Sequence, residues 1–351
     1  MRRVVSKIAI IGHFGFGQNL LNGQTIKTKV ITAGIEKRFG KENLLLFDLA
    51  GGGKRIPGLL VTLPKAFRMC ENIGMLPGEN GLRFLIPVLR FWNFFYKKRL
   101  HYAVIGGWLP AYLANKKRLL NGLKRFCGVY VETDTMKQTL EQMGLFNLFV
   151  LPNCKNLPVL SESELVYPQG LPYRLCTFSR VMKEKGIEDA VHAVAAVNAE
   201  WGYQVFSLDI YGPVEKGQEE WFNSLRKGFS EWIRYGGTVP YDKSVTVLKD
   251  YFALLFPTCY EGEGLAGTLI DAYSAGVPVI ASDWKYNAEF VNENTGYLYP
   301  TGDLSAFIGI LKAVAGNPTS LLSKKPLCLK EAEKYRVDTT IPVLLEQLEG
   351  V

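Results

Sequence analysis

The sequence has six cysteines (Cys70, Cys127, Cys154, Cys176, Cys259 and Cys328) but no Cys-x-x-Cys pair. That removes zinc-knuckle and dithiol frameworks and reads as the reduced, mostly buried thiols of a cytosolic protein. No apolar run approaches the ~20 residues that span a bilayer. Histidine is scarce, and His13, His101 and His192 fall at no metal-ligand spacing. His192, beside Val191 and Ala193 in a helical pattern, reads as a packing residue. His13, next to a glycine loop, reads as lining a site. There is no Asp-x-Asp motif of the metal-dependent kind, and Glu261-Gly262-Glu263 only imitates one. No repeat of short period is present. The opening MRRVVSKIAIIGHFGFG is basic, but its apolar run of about five residues leads into a glycine turn, so it reads as a first strand and not a leader peptide.

What is present is ordinary for a globular chain: 351 residues, 48% apolar and 21% charged, enough for two domains with separate cores. The charge is unevenly spread. Residues 1–165 hold 24 Lys+Arg against 10 Asp+Glu, and residues 166–351 hold 17 against 23. The first half therefore faces something anionic: nucleic acid, a phosphorylated substrate or an acidic membrane surface.

Short, near-continuous apolar runs alternate with helical patterns. The strand candidates are 7–12, 43–48, 102–106, 128–132 and 148–151, then 174–179, 206–211, 252–257, 277–281 and 296–299. Such runs suit parallel strands covered on both faces, built from βαβ units. The predicted fold class is α/β with two doubly wound, Rossmann-like domains. The segment 152–173, with four prolines and no clear periodicity, marks the boundary. This gives a first domain over 1–160, a second over 161–330 and a tail over 331–351. The stretch 328–349 reads as helix with a break at Pro342.

The most informative segment is 253–283. A strand runs to Phe256 and Pro257, a glycine-rich loop carries Glu261 and Glu263, and a helix starts near Gly267 and ends at Gly276. Ligands of open α/β sheets lie beyond the carboxyl ends of strands. A helix start there offers unpaired N–H groups, and the small Gly264, Ala266 and Gly267 let a phosphate approach. Glu263 and Asp271 flank that start and suit sugar or ribose hydroxyls. Equally, Glu261 and Glu263 read as solvated loop residues and Asp271 as a favourable helix charge. Arg180 and Lys185, five residues apart after strand 174–179, can face a diphosphate and stabilise its leaving charge without a metal, or serve as plain loop charges.

The segments SRVMKEKG (179–186) and EGLAGTLIDAYSAGVPVIAS (263–282) resemble the retaining, nucleotide-sugar-dependent glycosyltransferases of family 4, or group 1. That family's acid–seven residues–acid spacing falls on Glu263 and Asp271. The resemblance implies a GT-B architecture, two Rossmann-like domains facing a central cleft. It implies that Glu263 contacts the transferred sugar and Asp271 the ribose. Arg180, Lys185 and the amides of Gly267 and Thr268, with Ala266 beside them, would hold the diphosphate. Gly15-Phe16-Gly17 and Asn22-Gly23-Gln24-Thr25 would face the donor, and the closing helix would cross back onto the first domain. The phrases GHFGFG, VIGGWLP and DWKYN resemble a bacterial surface-polysaccharide branch. The expected partners are a nucleotide-sugar donor, UDP-linked by family frequency, and a saccharide or lipid-diphosphate-linked acceptor. No cofactor or metal is expected, because the nucleotide sugar is a substrate. Two departures stand out. Asp271 replaces the usual glutamate, and Gly106-Gly107-Trp108 stands where many relatives carry a histidine.

Residues 83–102 interleave Arg and Lys with Trp, Phe and Tyr, and 116–126 adds more charge. They fit a basic amphipathic helix on an anionic membrane, which would place the protein at the inner face of the plasma membrane. They also fit a packing helix with a basic edge. A dinucleotide-dependent oxidoreductase is disfavoured: the first loop is not G-x-G-x-x-G, and Asp48 lies 31 positions after Gly17, against the ~20 of the fingerprint. A non-catalytic module gripping lipid or nucleic acid, and a GT-B epimerase or phosphorylase, remain alternatives.

Overall fold

The computed structural model describes residues 7–17, 23–51 and 56–350. The chain divides into two units, Met1–Asn156 with Tyr335–Val351, and Leu157–Lys334. In the first, β1 (Ile8–Gly12), β2 (Leu44–Asp48), β3 (Asn72–Leu76), β4 (Arg99–Ala103), β5 (Gly128–Val131) and β6 (Leu148–Val150) form one sheet in the order β2-β1-β3-β4-β5-β6. Every pairing is parallel. The intervening helices are α1 (Gly23–Phe39), α2 (Ile56–Met69), α3 (Glu79–Tyr96), α4 (Leu109–Leu113), α5 (Lys117–Leu123) and α6 (Asp134–Gln142).

The second unit repeats the plan with β7 (Tyr173–Phe178), β8 (Phe206–Tyr211), β9 (Ile233–Gly237), β10 (Ala253–Phe256), β11 (Val279–Ser282) and β12 (Gly296–Tyr299), ordered β12-β11-β10-β7-β8-β9 and again all parallel. Its helices are α7 (Ile187–Trp201), α8 (Glu219–Arg226), α9 (Ser244–Leu248), α10 (Gly267–Ser274), α11 (Leu304–Gly316), α12 (Thr319–Leu322) and α13 (Lys325–Ala332). The apolar runs of β7, β8 and β10 bury Leu175, Leu208, Ile210, Ala253 and Leu255 against Ala190, Val194 and Val197 of α7. These apolar positions of the sheet are thus covered by α7.

The chain then returns to the first unit through α14 (Val337–Thr340) and α15 (Pro342–Glu349). Pro342 opens α15, where its missing N–H costs nothing. Ile341, Leu344 and Leu348 join the core of Ile8, Ile10, Ile31 and Ile35. Gly34 of α1 makes the close approach possible, since a Cβ there would stand 2.4 Å from Ile341 Cδ1. Polar ties add register: Asn72 Nδ2 donates to Leu348 O at 2.9 Å and Arg99 Nη2 to Gln347 O at 2.6 Å.

One strand expectation is corrected, and two strands stand where the sequence predicts none. β4 spans Arg99–Ala103, earlier than 102–106. The polar residues that hid its start are paired inside the sheet: His101 Nδ1 meets Tyr130 Oη at 3.0 Å and Nε2 meets Asn72 Oδ1 at 3.1 Å. β3 has no apolar run to betray it, because Asn72 and Gly74 interrupt it. β9, an edge strand reading Ile-Arg-Tyr-Gly-Gly, is only intermittently buried.

Candidate donor site

In the second unit, β7 leads to β8 on one side while its other neighbour, β10, leads to β11 on the opposite side. Ala253 pairs with Leu175 and Leu254 with Cys176. The loops leaving β7 and β10 therefore diverge, and a crevice at such a switch point is where open α/β sheets bind ligands. Arg180 and Lys185 lie on the first loop, and Glu263 lies on the second.

The two loops are stitched together by their backbones. Cys259 N donates to Glu184 O at 2.8 Å. Gly186, at φ 68°, turns the chain into α7 where a Cβ would stand 2.0 Å from Pro257 O, so only glycine fits. The turn Lys183–Lys185 is thereby fixed beside the β10 loop. Lys185 is buried, and its Nζ makes an ion pair with Glu263 Oε2. Thr258 Oγ1 donates to the same oxygen at 2.9 Å. Both bonds fall on Oε2, so Glu263 Oε1 is the oxygen turned to other use. Arg180 Nη1 pairs with Glu215 Oε2 at 2.5 Å, and its guanidinium sits 5.2 Å from the Tyr260 ring centroid. Burial alone would lower the Arg180 pKa, but bonds to Tyr260 and Glu215 raise it above its ordinary value. Lys185 Nζ lies 5.0 Å from the same ring. Tyr260 thus carries both cations on one aromatic surface.

α10 begins at Gly267, and its N-cap, Ala266, supplies no side-chain cap. Its first amides accordingly need an acceptor from outside the helix. The Thr268 hydroxyl beside them is buried without a hydrogen-bond partner, an arrangement that costs about 1–3 kcal/mol unless something accepts or donates there. Gly276, at φ 63°, closes the helix as its sequence position indicated. Asp271 is deeply buried, and its Oδ1 accepts from Ser244 Oγ of α9 at 3.0 Å.

In the first unit the glycine loop has a use that its sequence did not reveal. Asp48, at the end of β2, accepts from the amides of Phe14 (2.8 Å), Gly15 (3.1 Å), Phe16 (3.0 Å) and Ala50 (2.9 Å). A carboxylate of the protein fills the nest that a phosphate would otherwise occupy. Burial alone would raise the Asp48 pKa, but these four amides hold it below the ordinary carboxylate range. Gly17 and Gly23 border open space. Phe16 is exposed and stacks on Phe14 with centroids 5.0 Å apart. His13 Nδ1 meets Thr25 Oγ1 at 2.8 Å. Asn22 lies outside the described residues. Among those described, no group of three His, Cys, Asp or Glu side chains converges as a metal site.

Thr258, Tyr260, Glu215 and Ser244 entered the site only with the structure. One sequence signal for the loop went unread: Gly262-Glu263-Gly264-Leu265-Ala266-Gly267 has the G-x-G-x-x-G spacing and opens a helix.

Residues 172–317 match the family model described as glycosyl transferases group 1. The GtfA subunit of a UDP-N-acetylglucosamine–peptide N-acetylglucosaminyltransferase from Streptococcus gordonii is 33% identical over 179 residues, covering 48% of this chain and 33% of that protein. AmsK, an amylovoran biosynthesis glycosyltransferase from Erwinia amylovora, is 25% identical over 186 residues, covering 51% of this chain and 44% of that one. The chain thus spans less than half the length of these relatives. In fold it is similar to Anabaena HepE, solved with UDP-glucose, at a TM-score of 0.75 and 15% identity, covering 99% of this chain and 100% of that one.

Proposed function

We propose that this chain, a two-domain α/β protein of the GT-B fold, is a group 1 glycosyltransferase that moves a sugar from a UDP-sugar to a saccharide or lipid-linked saccharide acceptor in surface-polysaccharide synthesis, with retention at the anomeric carbon and without a metal. The observation that carries this reading is the cluster at the β7/β10 switch point, where Arg180 and the buried Lys185–Glu263–Thr258 group meet around Tyr260. The name of the Streptococcus gordonii relative, and the ligand of HepE, agree with a UDP-linked donor.

The diphosphate lies against the start of α10. The amides of Gly267 and Thr268 and the partnerless Thr268 hydroxyl meet its oxygens, while Arg180 and Lys185 meet its charge. Glu263 holds Lys185 through Oε2 and receives a sugar hydroxyl on Oε1. Asp271, already engaged by Ser244, orders the ribose side of α10. As the anomeric C–O bond breaks, its electron pair goes to the β-phosphate oxygen, where the two cations stabilise it. The acceptor hydroxyl adds on the same face, and its proton passes to the departing phosphate. Fixed cations and helix amides supply what a metal would supply elsewhere. The acceptor is met by the basic first unit, on the cytoplasmic side of the membrane.

Product analysis tests this directly. The chain is incubated with UDP-glucose, UDP-galactose or UDP-N-acetylglucosamine and a panel of saccharide, lipid-linked and peptide acceptors, and products are read by mass spectrometry and anomeric NMR. One donor should give an acceptor-linked product of retained configuration in the presence of EDTA. Glu263→Gln should lower turnover roughly 100-fold or more with thermal unfolding still cooperative. Full turnover by Glu263→Gln, or conversion of the donor into a new free nucleotide sugar, would remove the reading.

A further inference from the structure

A groove lined by cations lies beside the contact of α3 with α5. α3 and α5 pack unusually close: a Cβ on Gly122 of α5 would stand 2.4 Å from Ile86 Cγ2 and 3.4 Å from Arg90 Cδ of α3. Beside this contact opens a groove of about 710 Å³ whose lining includes Ile86, Pro87, Arg90, Arg118, Lys124 and Arg125. No carboxylate lines it. None of its four cations forms an ion pair among the described residues. Uncompensated like charges around one concavity repel one another, and an anion in the groove relieves that repulsion.

The groove does not stand alone. Leu82, Leu85, Ile86 and Leu89 bury one face of α3. At 100° per residue the opposite face carries Arg83, Pro87, Arg90, Phe91 and Phe94, with Phe95 at its edge. Phe91, Phe94 and Phe95 are 61%, 77% and 61% exposed. Three adjacent bare phenylalanines are a costly surface in water. A small soluble anion would use the cations and leave these rings wet. A surface presenting phosphates above hydrocarbon uses both.

We propose that the α3–α5 groove is a binding site for the phosphate headgroups of an anionic bilayer, with Phe91, Phe94 and Phe95 seated among the acyl chains. Arg90, Arg118, Lys124 and Arg125 grip headgroup phosphates in the groove. The aromatic rings enter the interface next to them, the basic-plus-aromatic arrangement of helices that lie in a membrane plane. The site gives a use to four of the 24 basic residues of 1–165, Arg90, Arg118, Lys124 and Arg125. It is independent of whether the β7/β10 site transfers a sugar.

The test is flotation of the purified full chain with vesicles of pure phosphatidylcholine or of phosphatidylcholine and phosphatidylglycerol in equal parts, with no nucleotide sugar present. Two variants are compared. One is Arg90→Gln/Arg118→Gln/Lys124→Gln/Arg125→Gln, and the other is Phe91→Ser/Phe94→Ser/Phe95→Ser. All seven positions carry exposed or groove-lining side chains, and circular dichroism checks each fold. The wild-type chain should float with the anionic vesicles only. Each variant should lose about tenfold or more of that partitioning, and 10 mM inorganic phosphate should not displace the chain. Displacement by phosphate would make the groove a soluble-anion site. Preferential binding of a single-stranded oligonucleotide would make it a nucleic-acid site. A concentration-dependent dimer lost in the phenylalanine variant would assign the rings to a second copy. Any of these, or equal flotation of wild type and both variants, overturns the proposal. UDP-induced thermal stabilisation, measured on the same samples, should be the same in all three and reports the donor site separately.

Discussion

At the scale of single residues, two carboxylates illustrate how position decides use. Glu263 lies in the loop beyond β10 and Asp48 at the carboxyl end of β2, each against a glycine-containing loop. Glu263 holds the buried Lys185 at the β7/β10 crevice. Asp48 closes the first unit's glycine loop on itself through four amides. Asn at position 48 would turn an –NH2 donor toward an N–H donor. Asp48→Asn should therefore cost about 1–3 kcal/mol of folding stability, toward the lower end because the site is only partly buried, measured by urea unfolding at pH 7. The sign with pH follows from the lowered carboxyl. The folded state binds its proton less readily than the unfolded chain, so the contribution is complete above the unfolded pKa of ~3.9 and vanishes as pH falls through the lower folded value. Wild type and variant should converge in stability at strongly acid pH. An unchanged difference between them there would mean that the carboxylate charge is not what the amides hold.

At the scale of elements, the sequence was most legible where burial is two-sided. β10 announces itself as an unbroken apolar run, and β7 and β8 are apolar enough to be read through Arg174, Thr177, Ser207 and Asp209. The helix from Gly267 to the turn at Gly276 is framed by glycine at each end. Legibility failed where polar residues are buried with private partners, as with Asn72 and His101, or where an edge strand has little to bury, as with Ile233–Gly237. The cations Arg180 and Lys185 could be located from sequence, but not their partners Glu215, Thr258 and Tyr260, which come from other loops and meet only through the sheet order. The docking of the closing helices is an element-level matter of fit. Gly34 leaves room for Ile341, so Gly34→Leu overfills the contact and should cost about 1–3 kcal/mol, read as a lower urea midpoint. A variant as stable as wild type would show that the α1 contact with Ile341 is not tightly packed.

At the scale of the whole molecule, the chain divides labour between units of the same plan. The second unit, acidic overall, sets the buried Lys185 and the half-exposed Arg180 at one switch point, where they are held by Glu263 and Glu215. The first unit leaves Arg90 of α3, Arg118 of α5 and the following Lys124 and Arg125 around one groove that no carboxylate lines. No helix among the described residues is long and apolar enough to cross a membrane. The two-unit α/β architecture followed from the alternation of apolar runs and helical patterns, because that alternation is the architecture written along the chain.

The account rests on a nucleoside diphosphate lying between Arg180, Lys185 and the start of α10. The most direct measurement is the thermal unfolding of the wild-type chain with UDP, GDP or ADP, beside Arg180→Ala/Lys185→Ala and Arg180→Ala alone. A single nucleotide, UDP, should raise the midpoint of the wild type. The shift should shrink in the single variant and vanish in the double one, each compared with its own nucleotide-free midpoint. A UDP shift that survives intact in the double variant would contradict the account, as would a wild type that no nucleotide stabilises.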